Sequence, residues 1–139
     1  MASTADLDLR QHWLFEGLSA KEERALRRVG SLRELPARSV LYEEGGPGDE
    51  MAVILEGTVA IRRNGRLLAR VGPGDTVGEL AVLDGEPRSA SVVALTDLRL
   101  LTFPRRAVRD LLDQEPGLAG KLLAALARRL RDADRRAYD

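Results

Sequence analysis

Glu79 and Arg88 stand close together in GELAVLDGEPRSAS, the stretch from Gly78 to Ser91, with small residues and turn formers around them. Gly78 admits a positive φ and close backbone approach. Glu79, Leu80 and Ala81 can then begin a single helical turn whose free N–H groups bind an anion without a cation. Arg88 adds a planar, permanently charged fork that matches phosphate oxygens. Ser89 adds a hydroxyl donor, and Ala90 leaves its own N–H uncovered. Together these groups suit a small phosphate pocket. The chain has no Gly-Lys-Ser/Thr, so the pocket is not that of a P-loop.

Glu79 does not suit a bare phosphate, because two negative charges repel. It does suit a sugar hydroxyl, from which an ionised carboxylate accepts a hydrogen bond. The expected ligand therefore carries a phosphate with a ribose hydroxyl beside it. A 3′,5′-cyclic nucleotide fits, its phosphate fused to the ribose and its 2′-hydroxyl alongside. The spacing equally admits a plain ion pair between Glu79 and Arg88, with Gly78 and Gly85 making turns.

The elements that must hold these residues run helix, strands, helix, and residues 1–139 are expected to form one domain. N-terminal helices are predicted within 1–30. Ser19 and Glu22 carry a capping-box spacing ahead of the apolar face Ala25, Leu26 and Val29, and LRQHWLF adds one more turn. His12 and Trp13 in that turn read as packing residues. Over 31–103, glycine-rich turns separate apolar runs predicted as strands at 31–35, 39–42, 50–56, 58–63, 66–71, 89–95 and 99–103. Asn64-Gly65 is a strong hairpin signal. Many short strands and no helix-scale crossovers favour a sandwich or barrel, and two GPGD turns hint at a jelly roll. Over 104–139 the chain returns to helix. Pro104 starts a short one and Pro116 follows its end. A long amphipathic helix comes next, with Ala119, Leu123, Leu126, Leu130, Ala133 and Ala137 as an a/d seam too short to hold a coiled coil unaided. Leu118 and Leu122 beside the seam can pack on the chain's own barrel.

Composition narrows the chemistry further. A formal net charge of +0 gives no overall field for a polyanion, so a nucleic acid would need a local basic patch. Arg128, Arg129, Arg131, Arg135 and Arg136 are interleaved with Asp132, Asp134 and Asp139, which reads as a solvated helix face. With no cysteine and one histidine, His12, the chain offers no disulfide, thiolate zinc site or His-based metal cluster. Hydrolysis of a cyclic phosphate generally needs two metals held by such clusters, and no nucleophile–base pair is visible, so no enzyme is expected. The lack of a signal-like N-terminus or a membrane-length apolar run predicts a cytoplasmic protein, or a module of one, with no membrane partner.

GDTVGELAVLDGEPRSASVVA resembles the phosphate-binding cassette, residues 78–90 here, of the cyclic nucleotide-binding domain family. LFEGLS, EEGGPGDEMAVILEGTVAI and ARRL extend the resemblance over nearly the whole chain. Gly-Glu-Leu and Arg-Ser-Ala at this separation are far more specific together than either alone. The resemblance implies a mainly β fold, a double-stranded β-helix (jelly roll) with N-terminal helices and a long C-terminal lid helix. It also implies roles for residues. Glu79 would accept the ribose 2′-hydroxyl, and Arg88 would pair with the exocyclic phosphate oxygens. Ser89 and the N–H groups of Leu80, Ala81 and Ala90 would complete the cradle behind Gly78. Ile61 and Val71 would pack on ribose and base, and Arg129 and Asp134 would belong to the lid. Val77 departs from the larger or aromatic residue usual before the glycine. Ala133 and Asp134 stand where the catabolite activator type places a threonine–serine pair against adenine. Asp134 can accept from adenine or guanine, so it leaves the base open; cAMP is the favoured ligand and cGMP the alternative.

The resulting expectation is a non-catalytic sensor, without a resident cofactor, whose C-terminal helix closes on bound nucleotide. That helix would also offer a homodimer seam, and an unidentified effector would receive the signal. Two alternatives stand beside it. One is a degenerate domain kept for protein contacts, although such members typically lose the cassette arginine or glutamate. The other is the ligand domain of a DNA-binding regulator, whose helix-turn-helix would follow the long helix; the sequence ends at Asp139, directly after it.

Overall fold

Short apolar runs divided by turns can each bury one face, and here they bury it against one another in two four-stranded antiparallel sheets. The computed structural model describes residues 7–138, with side chains to residue 136. The strands are β1 (Ser31–Leu35), β2 (Val40–Tyr42), β3 (Glu50–Glu56), β4 (Val59–Arg63), β5 (Arg66–Val71), β6 (Thr76–Val77), β7 (Ser91–Ala94) and β8 (Leu98–Pro104). One sheet has the order β1-β8-β3-β6 and the other β2-β7-β4-β5, which is the jelly roll expected from the sequence. Ala52, Ile54, Val59, Val77, Val92 and Leu100 fill the space between the sheets.

The helices are α1 (Ala20–Arg28), α2 (Glu79–Asp84), α3 (Arg105–Gln114) and α4 (Pro116–Tyr138). They share a second cluster in which Phe15 and Phe103 meet edge to face at 6.4 Å. In that cluster Val82 from α2, Val108 and Leu111 from α3, and Leu118, Leu122 and Ala125 from α4 are all buried. At α1 the predicted capping box is complete: Glu22 N–H donates to Ser19 Oγ at 3.1 Å and Ser19 N–H to Glu22 Oε1 at 2.8 Å. Glu22 also takes the Lys121 ammonium, which ties the start of α4 to α1.

Pro116 lies past the end of α3 as expected and also opens α4, where its missing N–H costs nothing. Elsewhere the elements differ from the expectation. The LRQHWLF turn is a 3₁₀ turn, Leu9–Gln11, continued by non-helical turns. Strand β6 has two residues, too few for alternation to reveal, and is defined by pairing with Ala52 and Val53. The strand predicted from residue 89 starts at Ser91. Arg88 N–H donates to Gly46 O at 2.9 Å and Gly45 N–H to Arg88 O at 2.8 Å, so the GGPGD turn holds this segment before the sheet can.

Along α4 the predicted seam divides. Leu126 is half-buried, whereas Leu123 and Leu130 are 68% and 71% exposed. Ala137 lies within the helix, but its side chain is outside the described residues. Among the described residues, no helix is long and apolar enough to cross a membrane.

Candidate functional site

A cavity of about 570 Å³ lies between Ile61 of β4, Val71 of β5, the α2 cassette and one face of α4. Gly78, Glu79, Leu80, Ala81, Arg88, Ser89 and Ala90 all line it, so the structure gathers every predicted cassette residue. Gly78 is the N-cap of α2, with φ 82° and ψ 5°. A Cβ there would lie 2.5 Å from Arg88 Nη1 and 3.0 Å from Glu50 O. Conformation and space therefore both demand glycine. The expected single turn is a six-residue helix. Its first ladder bond runs from Val82 N–H to Gly78 O at 3.4 Å, which leaves the Leu80 and Ala81 amides ahead of it at the cavity wall.

Arg88 is 5% exposed, and the surrounding backbone fixes its direction. Nε donates to Pro47 O at 3.2 Å, Nη1 to Gly78 O at 3.4 Å and Nη2 to Glu50 O at 2.6 Å. Its guanidinium carbon sits 3.6 Å from the centroid of the Tyr42 ring, a cation–π contact. Tyr42 in turn donates its hydroxyl to Glu50 Oε2 at 3.0 Å. Burial pushes the Tyr42 phenol up, so it remains a donor at neutral pH. The acid paired with Arg88 is Asp49, at 3.6 Å, and not Glu79. A guanidinium has five N–H donors, so Arg88 keeps some of its own to offer a ligand.

Glu79 is half-buried on the cavity wall. Burial raises its carboxyl above the ordinary range, while its own backbone N–H, the Thr76 hydroxyl and Arg129 oppose the rise. The Thr76 hydroxyl acts on it at close range, yet its buried Oγ1 completes no well-aligned hydrogen bond. Ser89 is exposed, its carbonyl accepting from Arg63 Nε at 2.9 Å. Ala90 is half-buried, as are Ile61 and Val71, which also pack on the inter-sheet cluster.

The far wall comes from α4, through Leu126, Arg129, Leu130 and Ala133. Arg129 Nη2 donates to Asp75 Oδ1 at 3.3 Å, and its guanidinium carbon lies 4.5 Å from the centroid of the Trp13 ring. Asp134, expected at the lid, is exposed and outside the cavity lining. Each helical residue turns about 100° from the last, so the face that carries Ala133 inward carries Asp134 away. Trp13, Tyr42 and Asp75 escaped the sequence reading as wall residues. Trp13 had only its rarity as a signal, and Asp75 only its place in a GPGD turn.

Charged, hydroxyl-accepting and amide groups thus converge on one hollow whose other walls include the apolar Ile61, Val71, Leu126 and Leu130. Among the described residues, no cluster of histidine and acidic side chains suits a metal ion. Residues 32–115 match the model of a family described as the cyclic nucleotide-binding domain. A CRP-like cAMP-activated global transcriptional regulator of Mycobacterium tuberculosis is 35% identical over 123 residues, covering 85% of this chain and 55% of the relative. The crystal structure of the N-terminal domain of a transcriptional regulator from Streptomyces coelicolor A3(2) superposes with a TM-score of 0.80 at 37% identity, covering 94% of this chain and 95% of that one. The Thermus thermophilus catabolite activator protein gives a TM-score of 0.76 at 37% identity, over 90% of this chain and 61% of that one. The chain spans about half the length of the curated relatives it matches, 55% of the mycobacterial one and 58% of a Thermus cyclic AMP receptor protein.

Proposed function

Since the chain belongs to the cyclic nucleotide-binding domain family, we propose that the cavity takes a cyclic nucleotide, cAMP in preference to cGMP, and passes its occupancy to α4. The protein is a regulatory module that binds its ligand without transforming it. One observation carries the reading: Arg88 and Glu79 face the same hollow without neutralising each other. In this reading Arg88, the Leu80, Ala81 and Ala90 amides and the Ser89 hydroxyl hold the phosphate. Glu79 accepts the ribose 2′-hydroxyl, and Ile61 and Val71 pack against the sugar and base. The preference for cAMP rests on the cAMP-activated mycobacterial relative.

In the same reading α4 is the lid. Arg129 holds it on Asp75 and Trp13, and the exposed Leu123 and Leu130 form the contact with a second copy. A downstream effector, as a partner or as further chain, reads the position of α4. Thermal unfolding with cAMP, cGMP and 5′-AMP tests the function. A cyclic nucleotide at 100 times its dissociation constant adds about 2.7 kcal/mol of stability. An unchanged transition with both cyclic nucleotides contradicts the assignment.

A further inference from the structure

The cassette helix has two ends, and the far one is also held. Helix α2 finishes at Gly85, whose N–H closes on Ala81 O at 2.9 Å. The next carbonyls, Val82 O and Leu83 O, have no acceptor role inside so short a helix. Both are taken by α3. Arg105 Nε donates to Val82 O at 3.3 Å, and Arg109 Nη1 donates to Leu83 O at 3.0 Å. Gly85 makes room for this clasp. It has φ 76°, and a Cβ there would lie 2.5 Å from Arg105 Nη2 and 3.2 Å from its guanidinium carbon.

Resting on the reading of α2 as the phosphate-binding helix, we infer that Arg105 and Arg109 are positioning residues that lock this helix to α3 and carry nucleotide occupancy into it. Two cations at the carboxyl end of α2 stabilise its dipole and fix its axis. The N–H groups that meet the phosphate are therefore aimed from the opposite end. Val82 reinforces the link, buried with Val108 and Leu111 of α3. Leu118 and Leu122 of α4 lie in the same cluster, so a shift of α2 passes through α3 to the lid. Arg106 lies between the two on the sequence, is exposed, and contributes no bond to α2.

The test uses the whole chain and cAMP, with titration calorimetry for affinity and amide hydrogen exchange for transmission. In the wild type, cAMP slows exchange in both α2 and α3. R109Q, at an exposed position, weakens binding about three- to tenfold. It also leaves cAMP-dependent protection in α2 but removes it from α3. R109K, which keeps a donor and a charge, restores most of both. G85A displaces Arg105 and repeats the R109Q pattern, whereas R106Q behaves as wild type. A role in stability alone would lower the unfolding temperature of R109Q and leave its affinity and α3 protection intact, and that result overturns the inference. Failure of the wild type itself to bind cAMP or cGMP is a different outcome, which removes the function on which the inference rests.

Discussion

At the scale of single residues, the site depends on one cation held by carbonyls and one acid held in partial burial. Arg88 was legible in the sequence as a candidate phosphate fork, and it lines the cavity. Its fixing by Pro47 O, Gly78 O and Glu50 O was not, because backbone carbonyls carry no sequence signature. Arg88→Ala should cost about 2–4 kcal/mol of nucleotide affinity by calorimetry. It should also lower stability, since three carbonyls lose their donor. Arg88→Lys keeps a charge but loses the fork, and should recover only part of the binding. Glu79 supplies a pH dependence. Burial raises its carboxyl in the unliganded protein, so the fold gains stability as pH falls through the raised value. A ligand hydroxyl would stabilise the carboxylate and lower that value again. Binding then releases protons, and affinity rises with pH through the raised range and declines below it. Glu79→Gln should flatten the profile; an unaltered profile in this variant would place the titration elsewhere.

Among the elements, those with a period or a cap were legible and those made by pairing were not. The capping box at Ser19 and Glu22, the hairpin at Asn64-Gly65 and the amphipathic α4 each show a local pattern. Strand β6 and the late start of β7 depend on partners distant in sequence, Ala52 and Gly46, and so left no trace in their own residues. Asp134 lies off the cavity for a related reason: helix phase is set by which neighbours Leu122 and Ala125 find, and those neighbours belong to the barrel end of the molecule. The Glu22–Lys121 pair fixes the base of α4, and Lys121, followed by the Ser19 backbone N–H, holds the Glu22 carboxyl below its ordinary range. A lowered acid gives stability that is full above the unfolded carboxyl range and lost as pH falls through the lowered value. Glu22→Gln should cost about 1–2 kcal/mol in urea unfolding at pH 7. The gap should close in acid, and a gap that persists there would assign the effect to packing.

For the molecule as a whole, the jelly roll presents a cassette from one loop and α4 covers it from the other end of the chain. The exposed Leu123 and Leu130 remain available to a second copy. Sedimentation should show a dimer that Leu123→Glu disperses, and a wild type monomeric with and without nucleotide would remove the seam from the account. The family was legible from the cassette alone, because its chemistry is concentrated in consecutive residues. The anchoring of the lid by Arg129 on Asp75 and Trp13 joins segments far apart in sequence, and only the folded chain brings them together. The most direct measurement is one calorimetric titration of the intact chain with cAMP, repeated with Arg88→Ala. A single saturable site in the wild type, weakened by a factor of about thirty or more in the variant, is the predicted result. Equal heats for the two proteins, or none for the wild type, would contradict it.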